Sequence, residues 1–132
     1  MDITQYTGYF HDGTLINIEH IGNELNLFLE SAEINPIEIS DHLVLSKFNT
    51  LKGKLHIINV KKILIGNNEW KGKFNMKYQE GDILDLNIFE KKVHLLIEWR
   101  DPSFNLFTNE VSKIEIEAEK IDWEPIPDLE FK

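Results

Sequence analysis

A chain of 132 residues with no cysteine and a formal charge of −9 is long enough to bury one core without disulfide staples, and it offers no thiolate metal site and no cysteine nucleophile. The acid excess argues against nucleic acid, whose phosphates are held largely by Lys and Arg; the expected partner of an acidic surface is a basic protein. No stretch reaches the roughly 18 apolar residues of a membrane helix, and the start lacks both regions of a signal peptide, so a cytoplasmic protein with no membrane partner is expected.

Charge runs in blocks. Met1 to Ser46 contains no Lys or Arg, Lys47 to Lys77 contains eight Lys against Glu69 alone, and Tyr78 to Lys132 is acidic again. Such segregation makes a bipolar surface or marks strands of opposite charge that pair within the fold, and pairing is the commoner case.

Apolar residues alternate with period two along nearly the whole chain, and no window keeps a helical period. The first strong element is YFHDGTLINIEHIGNELNLFLESAEI, Tyr9 to Ile34. Gly22-Asn23 suits a two-residue hairpin loop because Gly accepts positive φ, and the resulting register sets Ile21 against Glu24, Ile18 against Leu27 and Ile16 against Leu29. Leu55 to Val60 and Lys62 to Ile65 form one broken strand or two short ones, ended by Gly66-Asn67-Asn68. Trp70 to Tyr78 alternates as a strand with Trp70, Phe74, Met76 and Tyr78 inward and Lys71, Lys73 and Lys77 outward. A second hairpin, ILDLNIFEKKVHLLIEW, closes about Glu90-Lys91 and opposes Leu84 to Ile97, Leu86 to Leu95 and Ile88 to Val93. Arg100-Asp101-Pro102 signals a turn into a loop reaching Asn109. Val111 to Lys120 is a strand with Ile114, Ile116 and Ala118 on one face and Glu115, Glu117 and Glu119 on the other. The chain is thus expected to be all-β: one domain over 1–132, an antiparallel β-sandwich or partly open barrel of about seven to nine strands with little helix. Residues 124–132 would form an extended or flexible tail.

Two groups of residues are candidates for function. His11, Asp12 and Glu33 form a polar cluster at the open end of the first hairpin, where the register sets Asp12 across from Glu33. Opposed carboxylates need a bulge near Gly13 to separate them, or a proton, a cation or a base such as His42 to neutralise them. His and Asp are metal-ligand types, yet neighbours on a strand point to opposite faces, so the pair cannot converge on one ion unless Gly13 kinks the backbone, and no metal is expected. The alternative for His11-Asp12-Gly13 is structural, with Asp bonding local amides and Gly relaxing the backbone before the strand. No phosphate loop, nucleophile elbow or zinc spacing is present, and no cofactor is expected. The second candidate is Glu115, Glu117 and Glu119, a row that either pairs with a lysine face, Lys71, Lys73 and Lys77 being the obvious one, or binds a basic partner.

The Phe10-His11-Asp12-Gly13 start leading into an apolar hairpin resembles the opening of several families of small bacterial proteins, some grouped with immunity proteins of bacterial toxin systems. The resemblance implies a small acidic cytoplasmic binding protein and assigns no residue a role. The leading expectation is therefore a non-enzymatic module engaging a basic partner. The alternatives are a metal-dependent or carboxylate enzyme using Asp12, Glu33 and His11, and a structural subunit that assembles through a strand edge; the sequence does not fix an oligomeric state.

Overall fold

The computed structural model describes residues 2–39, 43–101 and 106–130, without side-chain detail for 106–109; His42, Pro102 to Asn105, Phe131 and Lys132 lie outside the described residues. Seven strands appear among them: β1 (Thr14–Ile21), β2 (Glu24–Glu30), β3 (Lys52–Ile65), β4 (Asn68–Glu69), β5 (Glu80–Phe89), β6 (Lys92–Asp101) and β7 (Leu106–Pro125). The only helices there are 3-10 turns at Thr4–Phe10 and Pro36–Glu38. The all-β expectation holds, with 57% strand and 8% helix.

Six strands close into an antiparallel barrel in the order β1-β2-β3-β7-β6-β5, with β5 returning to β1, and β4 lies outside the ring on the end of β3. The closing seam is short: β1 and β5 pair only through Thr14↔Asp82 and Leu15↔Gly81. Closure forces strands to coil, and bulges supply the extra local twist. They account for each departure from the expected registers. In the first hairpin Ile21↔Glu24 and Ile18↔Leu27 are as read, but Ile16 is an extra residue, so Leu15 rather than Ile16 opposes Leu29. In the second, Leu86↔Leu95 and Ile88↔Val93 hold while Leu84 is extra and Ile83 opposes Ile97. Beyond each bulge the side-chain parity flips, which turns Leu15 and Ile83 fully inward. The break at Val60/Lys62 is a third irregularity, and β3 runs through it as one strand.

Two further expectations need correction. Residues 70–79 are irregular and not a strand, because Gly72 adopts φ +88° and the Phe74 N–H bonds a histidine ring and not a neighbouring strand. Phe74 is buried and Met76 and Tyr78 pack against the core as expected, but Trp70 is 44% exposed. The start of the C-terminal segment is extended, one of the two forms expected of it. Glu124 and Pro125 complete β7 opposite Lys54 and Gly53, and Ile126 N–H bonds the Lys52 carbonyl. β7 also starts at Leu106, inside the expected loop.

The barrel interior is filled by side chains. The Phe10 ring meets Trp123 edge-on at 5.6 Å, so the first 3-10 helix sits as a lid over one end. Trp99 is buried, and its indole N–H donates to Ser112 Oγ at 2.8 Å, the partner a buried tryptophan needs. No helix among the described residues is long and apolar enough to cross a membrane.

Candidate functional site

His11-Asp12-Gly13 is the hinge between the first 3-10 helix and β1. Asp12 adopts φ +67°, a left-handed conformation that Asp tolerates better than most residues. Its N–H donates to the Ile83 carbonyl, and the Gly13 carbonyl accepts from Ile83 N–H. His11 Nδ1 bonds the Leu84 carbonyl. Gly13 has no room for a side chain: a Cβ there would stand 2.3 Å from the Glu30 carbonyl and 2.9 Å from that of Phe10. The triplet therefore docks the lid and starts the seam with β5. The Asp12 carboxylate caps no amide, contrary to expectation; it lies 3.7 Å from His11 Nε2, and both side chains are well exposed. Glu33 does not face it. The bulge at Ile16 shifts the ladder so that Thr14 opposes Glu30, and Ala32 N–H bonds back to Tyr9. His11, Asp12 and Glu33 thus form no shared site, and no three His, Asp or Glu side chains among the described residues are grouped to hold a metal.

Each glutamate of the β7 row has a neighbour on a flanking strand that can offset its charge. Glu117 is flanked by Lys62 of β3 and Lys92 of β6. Glu115 lies 3.3 Å from His94 Nδ1, and Glu119 accepts a hydrogen bond from Asn59. The lysines are not those anticipated: Lys71 and Lys73 lie on the irregular segment, and Lys77 pairs with Glu110. That contact and a hydrogen bond from Tyr78 hold the Glu110 carboxyl below its ordinary range, and Glu110 in turn raises the Tyr78 hydroxyl. Nearer the lid, His56 of β3 stands between Glu24 of β2 at 3.6 Å and Glu124 of β7 at 2.7 Å. The charge blocks of the sequence are therefore largely strands that pair: the basic β3 runs between the acidic β2 and β7.

A second acidic face is neutralised only in part. The ladders set Glu30, Thr14, Asp82 and Glu98 side by side across β2, β1, β5 and β6, at the strand spacing of about 4.8 Å. Asp82 and Glu98 are directly opposed like charges, an unfavourable cross-strand pair. Arg100 reaches Glu80 and Asp82, each at 2.9 Å, but Glu98 makes no ion pair or side-chain hydrogen bond among the described residues. Next to this row a shallow cleft of about 420 Å³ carries Glu30, Glu80 and Glu130 on its walls against the single cation of Lys52. None of these carboxylates stands out in the sequence. The bulge at Leu84 sets Asp82 opposite Glu98, and Glu30 joins them only through the β1–β5 seam, which unites segments more than sixty residues apart. No local signal marks Glu98, which takes a regular outward position in the alternation of β6. Comparison with protein-family models, curated proteins and solved structures finds no match to this chain.

Proposed function

We propose that the protein is a non-enzymatic, cytoplasmic binding module whose acidic β2-β1-β5-β6 face engages a basic protein, in the manner of an immunity-type protein that covers a cationic surface of its toxin. The observation that carries this reading is the opposed Asp82 and Glu98. Arg100 compensates Asp82, so Glu98 is the charge without a cation of its own among the described residues; a cationic partner docked over it would gain that attraction and be steered by it. The cleft walled by Glu30, Glu80 and Glu130 extends the same face and gives a Lys or Arg side chain somewhere to enter.

The test is retention of a basic protein from host extract by immobilised wild type, compared with Glu98→Lys and with Glu117→Lys. The reading requires capture to fail for Glu98→Lys and persist for Glu117→Lys. Equal capture by all three would refute it.

A second reading, assembly through a strand edge, has its own observation. Beyond the two seam pairs, β1 and β5 run apart in opposite directions with no ladder to each other, and Ile21 at the far end of β1 is 62% exposed. Copies joined there would sediment as a dimer that Ile21→Lys returns to monomer; a wild-type monomer at high concentration would dismiss this reading.

A further inference from the structure

At the end of the barrel away from the lid lies a second cleft, of about 540 Å³, with a different chemistry. It is bounded by the β1–β2 turn, the bulge of β3 and the segment after β4, and Lys61, Lys62, Lys73, His20 and Trp70 line it. On a protein of charge −9, three lysines that make no ion pair among the described residues line one concavity. The opposing charges are Glu69 on the same wall and Glu117, across the ladder from Lys62.

The histidine adds a directed donor. Phe74 N–H donates to His20 Nδ1 at 2.8 Å, so Nδ1 is the acceptor nitrogen and the proton of the neutral ring is on Nε2. That N–H has no protein partner among the described residues. The tryptophan adds a fixed aromatic face. Its indole N–H is occupied by the Lys73 carbonyl at 3.1 Å, and its ring leans on Phe74 with centroids 6.2 Å apart, yet it remains 44% exposed. A half-exposed ring held by a hydrogen bond and a second ring is a stacking platform.

Ammonium groups and an imidazole N–H suit a phosphate; an adjacent exposed indole suits a planar base; Glu69 on the rim can accept hydrogen bonds from sugar hydroxyls. We propose that this cleft binds a nucleoside monophosphate, with the phosphate on Lys61, Lys62, Lys73 and His20 and the base on Trp70. The volume lies within the range of small-ligand sites. A nucleic-acid strand is disfavoured, because the lysines form one cluster and the acidic remainder of the surface would repel a continued phosphate backbone.

Isothermal titration of the full chain with AMP, ribose 5-phosphate and inorganic phosphate, with tryptophan fluorescence followed in parallel, tests this. AMP should bind about 10-fold more tightly than ribose 5-phosphate, since one stacked base is worth roughly that factor or more, and it should quench the exposed Trp70 while Trp99 and Trp123, both 2% exposed, stay unchanged. Lys61→Glu should weaken AMP at least about 10-fold. Trp70→Ala should bring AMP to the level of ribose 5-phosphate, with the melting curve of each variant confirming its fold. No AMP binding at millimolar concentration, equal binding of AMP and ribose 5-phosphate by the wild type, or AMP binding indifferent to Lys61→Glu would overturn the proposal.

Discussion

The β7 glutamates and the β5–β6 acids carry the same charge on the same barrel and differ in what lies beside them. Glu117 stands between Lys62 and Lys92, whereas Glu98 stands against Asp82. The regular row, so conspicuous in the sequence, is mostly explained by its neighbours in the sheet. The irregular pair, inconspicuous in the sequence, is left with excess charge. A charge pattern within one strand therefore says little until the flanking strands are known, because cross-strand neighbours at about 5 Å outweigh same-strand ones near 7 Å.

The β1–β5 seam closes the barrel that carries both faces, and its disruption is the largest effect expected. Gly13→Ala puts a methyl against the Glu30 and Phe10 carbonyls and should destabilise the protein by about 2 kcal/mol or more in urea denaturation, as overpacking against backbone does; a neutral effect would mean the seam is not as tight as described. Reversing Glu115, Glu117 and Glu119 to Lys comes next. It should cost about 1–2 kcal/mol, summing exposed pairs of a few tenths each with new repulsions from Lys62, Lys92 and His94. Adding Lys62→Glu and Lys92→Glu should recover about half of that loss, whereas reversing Lys71 and Lys73 should recover none. Recovery by the latter pair alone would show that the row's partners have been misassigned.

The smallest expected effect is on acid sensitivity. Glu110 titrates below its ordinary range because of Lys77 and Tyr78, so its contribution is full at neutral pH and is lost as the pH falls below the ordinary glutamate range through the folded value. Glu110→Gln should therefore flatten the acid limb of the stability profile. A variant whose profile from pH 6 to pH 3 matches the wild type's would show that this pair adds nothing.

Much of the architecture was legible before the fold. Binary alternation gave the all-β class, the two hairpin turns and the inward faces of β6 and β7, since each depends on residues near in sequence. What misled was closure. The bulges at Ile16 and Leu84 belong to barrel coiling, which no local pattern encodes, and the first of them shifts the ladder that would have set Glu33 against Asp12. Trp70 to Tyr78 alternates like a strand, and its lysines do face water, but Gly72 at φ +88° breaks the extended backbone. The first 3-10 helix was missed because seven residues are too few to show a period. Of the candidate sites, Glu115, Glu117 and Glu119 do share one strand, as read. Glu30, Asp82 and Glu98 were invisible as a group because the ladder that assembles them is long-range.

The account turns on whether the two acidic faces differ in sign of charge balance, and urea denaturation of Glu98→Gln and Glu117→Gln, each at low and high salt, measures that directly. Removing the Glu98 charge should raise stability by about 0.5 kcal/mol at low salt, and removing that of Glu117 should lower it by about as much, with both effects shrinking in high salt. A loss of stability in Glu98→Gln, or shifts of the same sign in the two variants, would contradict the account.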